Sequence, residues 1–203
     1  MTIETLNQTF SRLAAGKDKV SVELGPGHRR AIDNAITIDH LPIPTADIVA
    51  NVDDGLAFIP DGSVDLIYSS HFMEHVKDVG EVLAEFHRIL KPGAELKIIV
   101  PHHSSPYYYS DYTHKVFWGL YTPFYFSDET FFRRTVPRFY NHLNFKVTDI
   151  RLVFGSPFRF RRMFKREFVE RLVNLNRYMQ ELYEEQLCHF IPCYELNITM
   201  HKR

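Results

Sequence analysis

Residues 20–27, Val-Ser-Val-Glu-Leu-Gly-Pro-Gly, constrain this chain more than any other stretch. Val20, Val22 and Leu24 suit a buried strand, and Gly25-Pro26-Gly27 lets the backbone turn sharply where a side chain would hold a ligand away. Glu23 puts a carboxylate at the strand's end, the edge of a parallel sheet where nucleotide-like ligands sit. A glycine pair also serves as plain strand punctuation, so its meaning depends on the segments around it.

Those segments alternate strands with helices or loops. Before the turn, Ile3, Leu6, Phe10 and Leu13 recur at helical spacing and stop at Gly16. After it, residues 35–41 and 47–52 read as strands, 64–70 as a fourth, and the wholly apolar 96–100 as a fifth, covered on both faces. Only seven residues separate Gly27 from Ala35. A crossover helix takes about ten or more, so the first crossover is stunted or a loop. Val82, Leu83, Phe86, Ile89 and Leu90 share one face of a helix expected to end at Lys91-Pro92-Gly93. A further helix is expected over 127–142, opened by Ser127, Glu129 and Thr130 and kinked at Pro137. Residues 145–154 alternate like a strand. Phe160, Phe164, Phe168, Leu172, Leu175, Met179 and Leu182 form a stripe on one long helix, and 194–200 read as a closing strand. Strands alternating with helices or short loops imply a mostly parallel α/β sheet.

Composition narrows the functions open to such a fold. A chain of 203 residues, 45% hydrophobic, is expected to be one domain, 1–203. Residues 17–101 would make a ligand-binding half, and 102–203 a substrate half. A net charge of −1 gives no global pull towards nucleic acid or an anionic membrane. Cys188 and Cys193 form no disulfide framework and lack the partners of a structural zinc site. No apolar run approaches about 18 residues and no basic-then-apolar leader is present, so a cytoplasmic protein without a membrane span is expected.

An ordered set of motifs resembles a known family. Glu23-Leu-Gly25-Pro-Gly27, Asp39 ending the second strand, Asp53 twelve residues before Asp65 in Pro-Asp-Gly-Ser-Val-Asp, and Glu85-Phe-His-Arg88-Ile-Leu-Lys91-Pro-Gly93 succeed one another. The set resembles the class I S-adenosylmethionine-dependent methyltransferases, particularly the small branch with Ser-Ser-His-x-x-Glu-His after the fourth strand. It covers roughly residues 20–101. The resemblance implies a Rossmann-like fold of about seven strands with an antiparallel last strand and helices on both faces. It also implies S-adenosylmethionine as cofactor. Glu23, Gly25 and Gly27 would then line its methionine part, Asp39 the ribose hydroxyls, and Asp53 or Asp54 the adenine. Ser70 and His71 would border the reacting methyl. The family's usual third glycine, two residues after Gly27, is Arg29 here. Arg29 or Arg30 is therefore expected to grip the cofactor carboxylate.

Residues 102–126 make an aromatic and histidine-rich segment, long enough for a functional loop. An alcohol acceptor needs help losing its proton, and His71, His75, His102, His103, Asp111 and His114 are candidate bases. The expectation is His71 or His103 as base, oriented by Asp111 or His114. The same types in plain structural use are helix caps or buried hydrogen-bonding groups. His102, Tyr108, Tyr109 and Tyr112 would contact a small polar acceptor or glycan, since tyrosines offer hydroxyls on an apolar body. No metal set is assigned, although His102-His103 with Asp111-x-x-His114 could hold zinc or iron, which would favour a metal-dependent hydrolase. A catalytically inactive cofactor-binding partner subunit is the remaining alternative. The basic run Arg159, Arg161, Arg162, Lys165 and Arg166 is either a solvated helix face or a phosphate contact, and the stripe beneath it packs on the sheet or joins a homodimer.

Overall fold

The computed structural model describes residues 2–203. Helix α1 (Ile3–Ala14) starts where the Thr2 hydroxyl accepts the Thr5 N–H, and buries Leu6 and Phe10. Seven strands succeed it: β1 (Ser21–Leu24), β2 (Ile36–Asp39), β3 (Ile48–Val49), β4 (Val64–Ser70), β5 (Leu90–Pro101), β6 (Phe145–Val153) and β7 (Glu195–Lys202). They form one sheet ordered β3-β2-β1-β4-β5-β7-β6, in which only β7 runs against its neighbours. One face carries a row of aliphatic side chains across six strands: Ile36, Val22, Ile67, Leu96, Met200 and Val147. All six are buried, which explains why these strands read as apolar in sequence.

The first crossover has no helix: residues 25–35 make turns and bends. Helix α2 (Val79–Ile89) spans β4 to β5, capped by Asp78, which accepts the Gly80 and Glu81 N–H groups. It ends one residue before β5 starts, so Lys91-Pro92-Gly93 does not close the helix as the sequence suggested. Between the pairs Val64↔Leu90 and Leu66↔Glu95 the ladder shifts register, and Pro92, which has no N–H, lies in the bulge with Gly93 at φ +77°.

Two other expectations are corrected. Residues 127–142 form no helix. Their conformation is set by tertiary contacts: the Arg134 N–H donates to Glu181, the Arg133 and Arg134 guanidinium groups lie over the rings of Tyr178 and Tyr121, and Arg177 lies over Phe131. The single long helix is two. Beyond a short helix α3 (Pro106–Ser110), Arg159–Phe164 (α4) passes through a π-turn, Lys165–Val169, into α5 (Glu170–Val173), and the chain breaks before α6 (Arg177–Leu182). Asn174 causes the break by bonding the Leu152 N–H and carbonyl, and Asn176 caps α6 at the Met179 N–H. Most of the apolar stripe consequently faces outward, with Phe160 81% and Leu175 70% exposed, while Val169, Glu170 and Val173 turn inward. Among the described residues no helix is long and apolar enough to cross a membrane.

Candidate functional site

From β1 the chain crosses to β2 on one side, and from β4 to β5 on the other. Connections that diverge in this way open a crevice beyond the carboxyl ends of β1 and β4. Gly25 starts the turn there at φ +62°, its N–H bonded to the Ile38 carbonyl at 2.9 Å. A Cβ on Gly25 would meet Phe72 Cδ2 at 2.9 Å. Gly27, at φ +55°, has no atom within 4 Å of where its Cβ would be. One glycine is thus required by packing, and the other fronts free space.

Glu23 is almost fully buried, and its carboxylate accepts the Ala31 N–H at 2.9 and 3.1 Å and the Ile32 N–H at 3.1 Å. It shapes the helix-less crossover from beneath. Arg30 is tied to Asp47 at 2.6 Å, and although burial opposes it, the bonds from Arg30 and Thr37 hold the Asp47 carboxyl below its usual range. Arg29 is exposed and has no side-chain hydrogen bond among the described residues, so of the two arginines it is the one free to meet a ligand carboxylate. Asp39, buried at the end of β2, accepts the Leu41 N–H on Oδ1 at 2.9 Å, and Oδ2 has no protein partner among the described residues. Asp53 accepts the Lys77 N–H at 3.0 Å, and Asp54 beside it is exposed.

The end of β4 passes through Ser70 into His71, a non-glycine residue at φ +52°. Its ring lies between two carboxylates, with Nε2 3.1 Å from Glu195 Oε2 and Nδ1 3.5 Å from Glu74 Oε1. The hydrogen bond to Glu195, then the nearby Glu74 carboxylate, lifts its pKa to about 9. At neutral pH the ring already carries its proton, so His71 is no free base of the kind the sequence suggested. Glu74 itself is fully buried, and neither oxygen has a hydrogen-bond partner among the described residues. His75 Nε2 and His114 Nε2 lie 4.0 and 3.9 Å from Glu74 Oε1. Asp111 accepts the Thr113 N–H and hydroxyl at 2.9 and 2.6 Å, and its other oxygen is 3.7 Å from His114 Nε2.

His103 belongs to a different cluster. His102, fully buried, bonds Ser104 and Glu184 at 2.8 Å each, and Glu184 also accepts the Leu120 N–H at 2.8 Å. His103 packs against the His102 ring with Cys188 Sγ 3.9 Å from its Nε2, and burial, then the charge of His102, lowers its pKa. His102 therefore braces the loop after β5 and does not line a substrate surface. Tyr108 is buried against His114 and Phe117, Tyr109 is exposed, and Tyr112, 97% exposed, stands in solvent. Sequence patterns gave no sign of Glu195 or Tyr194 as site residues, and offered Tyr107 only within the aromatic segment and Arg161 only within the basic run. The last three, with Ser105 and Phe158, line a cavity of about 180 Å³ along the edge of the sheet where β5 and β6 end and β7 begins. Tyr194 stacks edge-on to Tyr107 at 5.7 Å and lies 6.5 Å from the His71 ring. Only the spacing His-x-x-Glu-His could have drawn attention to Glu74.

Residues 8–98 match a family model described as a methyltransferase domain. No curated protein matches the chain. Among solved structures, a SAM-dependent methyltransferase from Archaeoglobus fulgidus superposes with a TM-score of 0.55 at 18% identity, covering 99% of this chain and 95% of the other. The YcgJ protein from Bacillus subtilis gives 0.52 at 13% identity, with 98% and 99% covered. The complex of the Haloferax volcanii Trm112 methyltransferase activator with a putative methyltransferase gives 0.51 at 14% identity, with 98% and 92% covered.

Proposed function

We propose that this chain, which carries a class I S-adenosylmethionine-dependent methyltransferase domain, methylates an oxygen of a small, hydroxyl-bearing acceptor of the sugar or glycan kind. The observation that carries this reading is the cavity bordered by Tyr107, Tyr194 and Arg161, one ring away from His71 and the mouth of the crevice. Aromatic faces with hydroxyl tips suit a polar acceptor with an apolar ring face, and Arg161 suits an anionic substituent.

The residues of the crevice fit the cofactor. Free space over Gly27 would take its amino-acid tail, Arg29 its carboxylate, the open oxygen of Asp39 its ribose, and Asp53 or Asp54 its adenine. When bound, the cofactor supplies an electrophilic methyl on a sulfonium, and what remains for the protein is alignment, exclusion of water and handling of one proton. Tyr107 and Tyr194 would hold the acceptor. The His71–Glu195 pair would stabilise the oxygen as it loses its proton, which passes to the Glu195 carboxylate.

The test is a screen of sugars, nucleosides and phenols for release of demethylated cofactor. A sugar-type substrate whose KM rises at least tenfold in Arg161→Ala or Tyr107→Ala supports the reading. Turnover of planar phenols alone, unaffected by those variants, contradicts it.

A further inference from the structure

The group formed by Glu74, His75 and His114 offers one ligand atom each, all within 4.8 Å of one another. Its hydrogen bonding decides what those atoms carry. The single proton of the Thr113 hydroxyl is committed to Asp111 at 2.6 Å, so its oxygen accepts from His75 Nδ1–H at 3.0 Å. The Tyr108 carbonyl, 2.9 Å away, accepts from His114 Nδ1–H. Glu195, at 3.1 Å, accepts from His71 Nε2–H. His75 and His114 thereby each fix a proton on Nδ1 and turn Nε2 towards the same oxygen, Glu74 Oε1, at 4.0 and 3.9 Å, and His71 Nδ1 lies 3.5 Å from it.

No protein donor among the described residues hydrogen-bonds either oxygen of that carboxylate, which is fully buried. A buried, ionised carboxylate without a donor is costly, and facing imidazole lone pairs add repulsion unless a cation lies among them. Histidines whose far nitrogens donate to a carbonyl or a hydroxyl, as His114 and His75 do, are arranged as metal-ligating histidines are. Ligands at about 2.1 Å from a tetrahedral ion lie about 3.4 Å apart, so His75 and His114 need to close on Glu74 Oε1 by about half an ångström each.

We propose that Glu74, His75 and His114 bind one divalent first-row transition ion of the zinc or iron(II) class, leaving a fourth position open. Two imidazole nitrogens and one carboxylate oxygen are a donor set such ions favour over magnesium or calcium. Thr113 and the Tyr108 carbonyl are positioning groups that orient the rings. The site is separate from His103, Cys188 and His189, a second group with ligand-like spacing, and it does not depend on which acceptor is methylated.

The test uses the full chain, without an affinity tag and stripped by a chelator, titrated with Co²⁺ and with Zn²⁺. Expected are one ion per chain by elemental analysis, a rise in melting temperature with Zn²⁺, and visible Co²⁺ bands with no sulfur-to-cobalt charge-transfer band. His75→Gln and His114→Ala should each weaken binding at least tenfold, with near-ultraviolet circular dichroism confirming folding, and Cys188→Ser should leave it unchanged. Should His114→Ala fail to fold, the half-exposed His75→Gln and the wild-type cobalt spectrum decide alone. Failure of folded wild type to take up either ion, unchanged affinity in the histidine variant, or a charge-transfer band abolished by Cys188→Ser would each overturn the proposal.

Discussion

His71 and Glu195, 124 residues apart in the chain, meet at 3.1 Å where the end of β4 lies near the start of β7. The contact exists because β7 is inserted antiparallel beside β5, which brings its first residue to the edge where the parallel strands end. A carboxylate from the last strand thus reaches the ring at the mouth of the crevice. Glu195→Gln keeps the shape and removes the charge. It is expected to lower kcat by about 10²-fold or more while leaving cofactor affinity within about twofold, because only proton handling is lost. Steady-state rates on the identified acceptor, with calorimetry for the cofactor, make the comparison; unchanged kcat would remove Glu195 from the reaction.

Gly25 and Gly27 separate packing from ligand contact. Both have positive φ, so alanine at either costs about 1–2 kcal/mol of backbone strain. At Gly25 the methyl also strikes Phe72, and Gly25→Ala is expected to lower the melting temperature further than Gly27→Ala. At Gly27 the methyl meets no protein atom, so Gly27→Ala is expected to fold but bind the demethylated cofactor at least tenfold more weakly. Equal affinity in Gly27→Ala and wild type would show that the space over this turn is not the cofactor's.

Glu85 and Arg88 brace the loop that carries the Asp53 turn. Glu85 accepts the Leu56 N–H at 2.8 Å and pairs with Arg88 at 2.9 Å, and Arg88 donates to the Leu56 and Ile59 carbonyls. The bond from Arg88 holds the Glu85 carboxyl below its usual value despite partial burial. A lowered carboxylate pKa contributes stability above the unfolded value of 4.5, and that contribution disappears as pH falls through the folded value. Glu85→Gln is therefore expected to cost about 1–3 kcal/mol at pH 7, with the gap from wild type narrowing below about pH 4.5. Urea unfolding at several pH values measures it, and a constant gap would contradict the assignment.

The crevice was legible in sequence because it is built from local pattern. A strand, a glycine turn and an acid at the next strand's end are written within residues 20–39, and the short gap to Ala35 announced the missing helix. The histidine sites were not legible, because spacing along the chain does not say which rings converge. His71, His75 and His114 gather around Glu74 only once residues 108–114 fold back over the turn after β4, whereas His103, though adjacent to His102, goes with Glu184. The helix expected over 127–142 failed for a related reason. Arginine–ring contacts and a backbone bond to Glu181 outweigh local helix preference there. The stripe from Phe160 to Leu175 had helical period without a partner in the fold, which periodicity cannot distinguish from a core-facing stripe.

Calorimetric titration of the full chain with S-adenosylhomocysteine bears most directly on the crevice beyond β1 and β4. One site per chain, weakened at least tenfold by Asp39→Ala in a variant that still folds, is the expected result. No heat in wild type, or binding indifferent to Asp39, would contradict it.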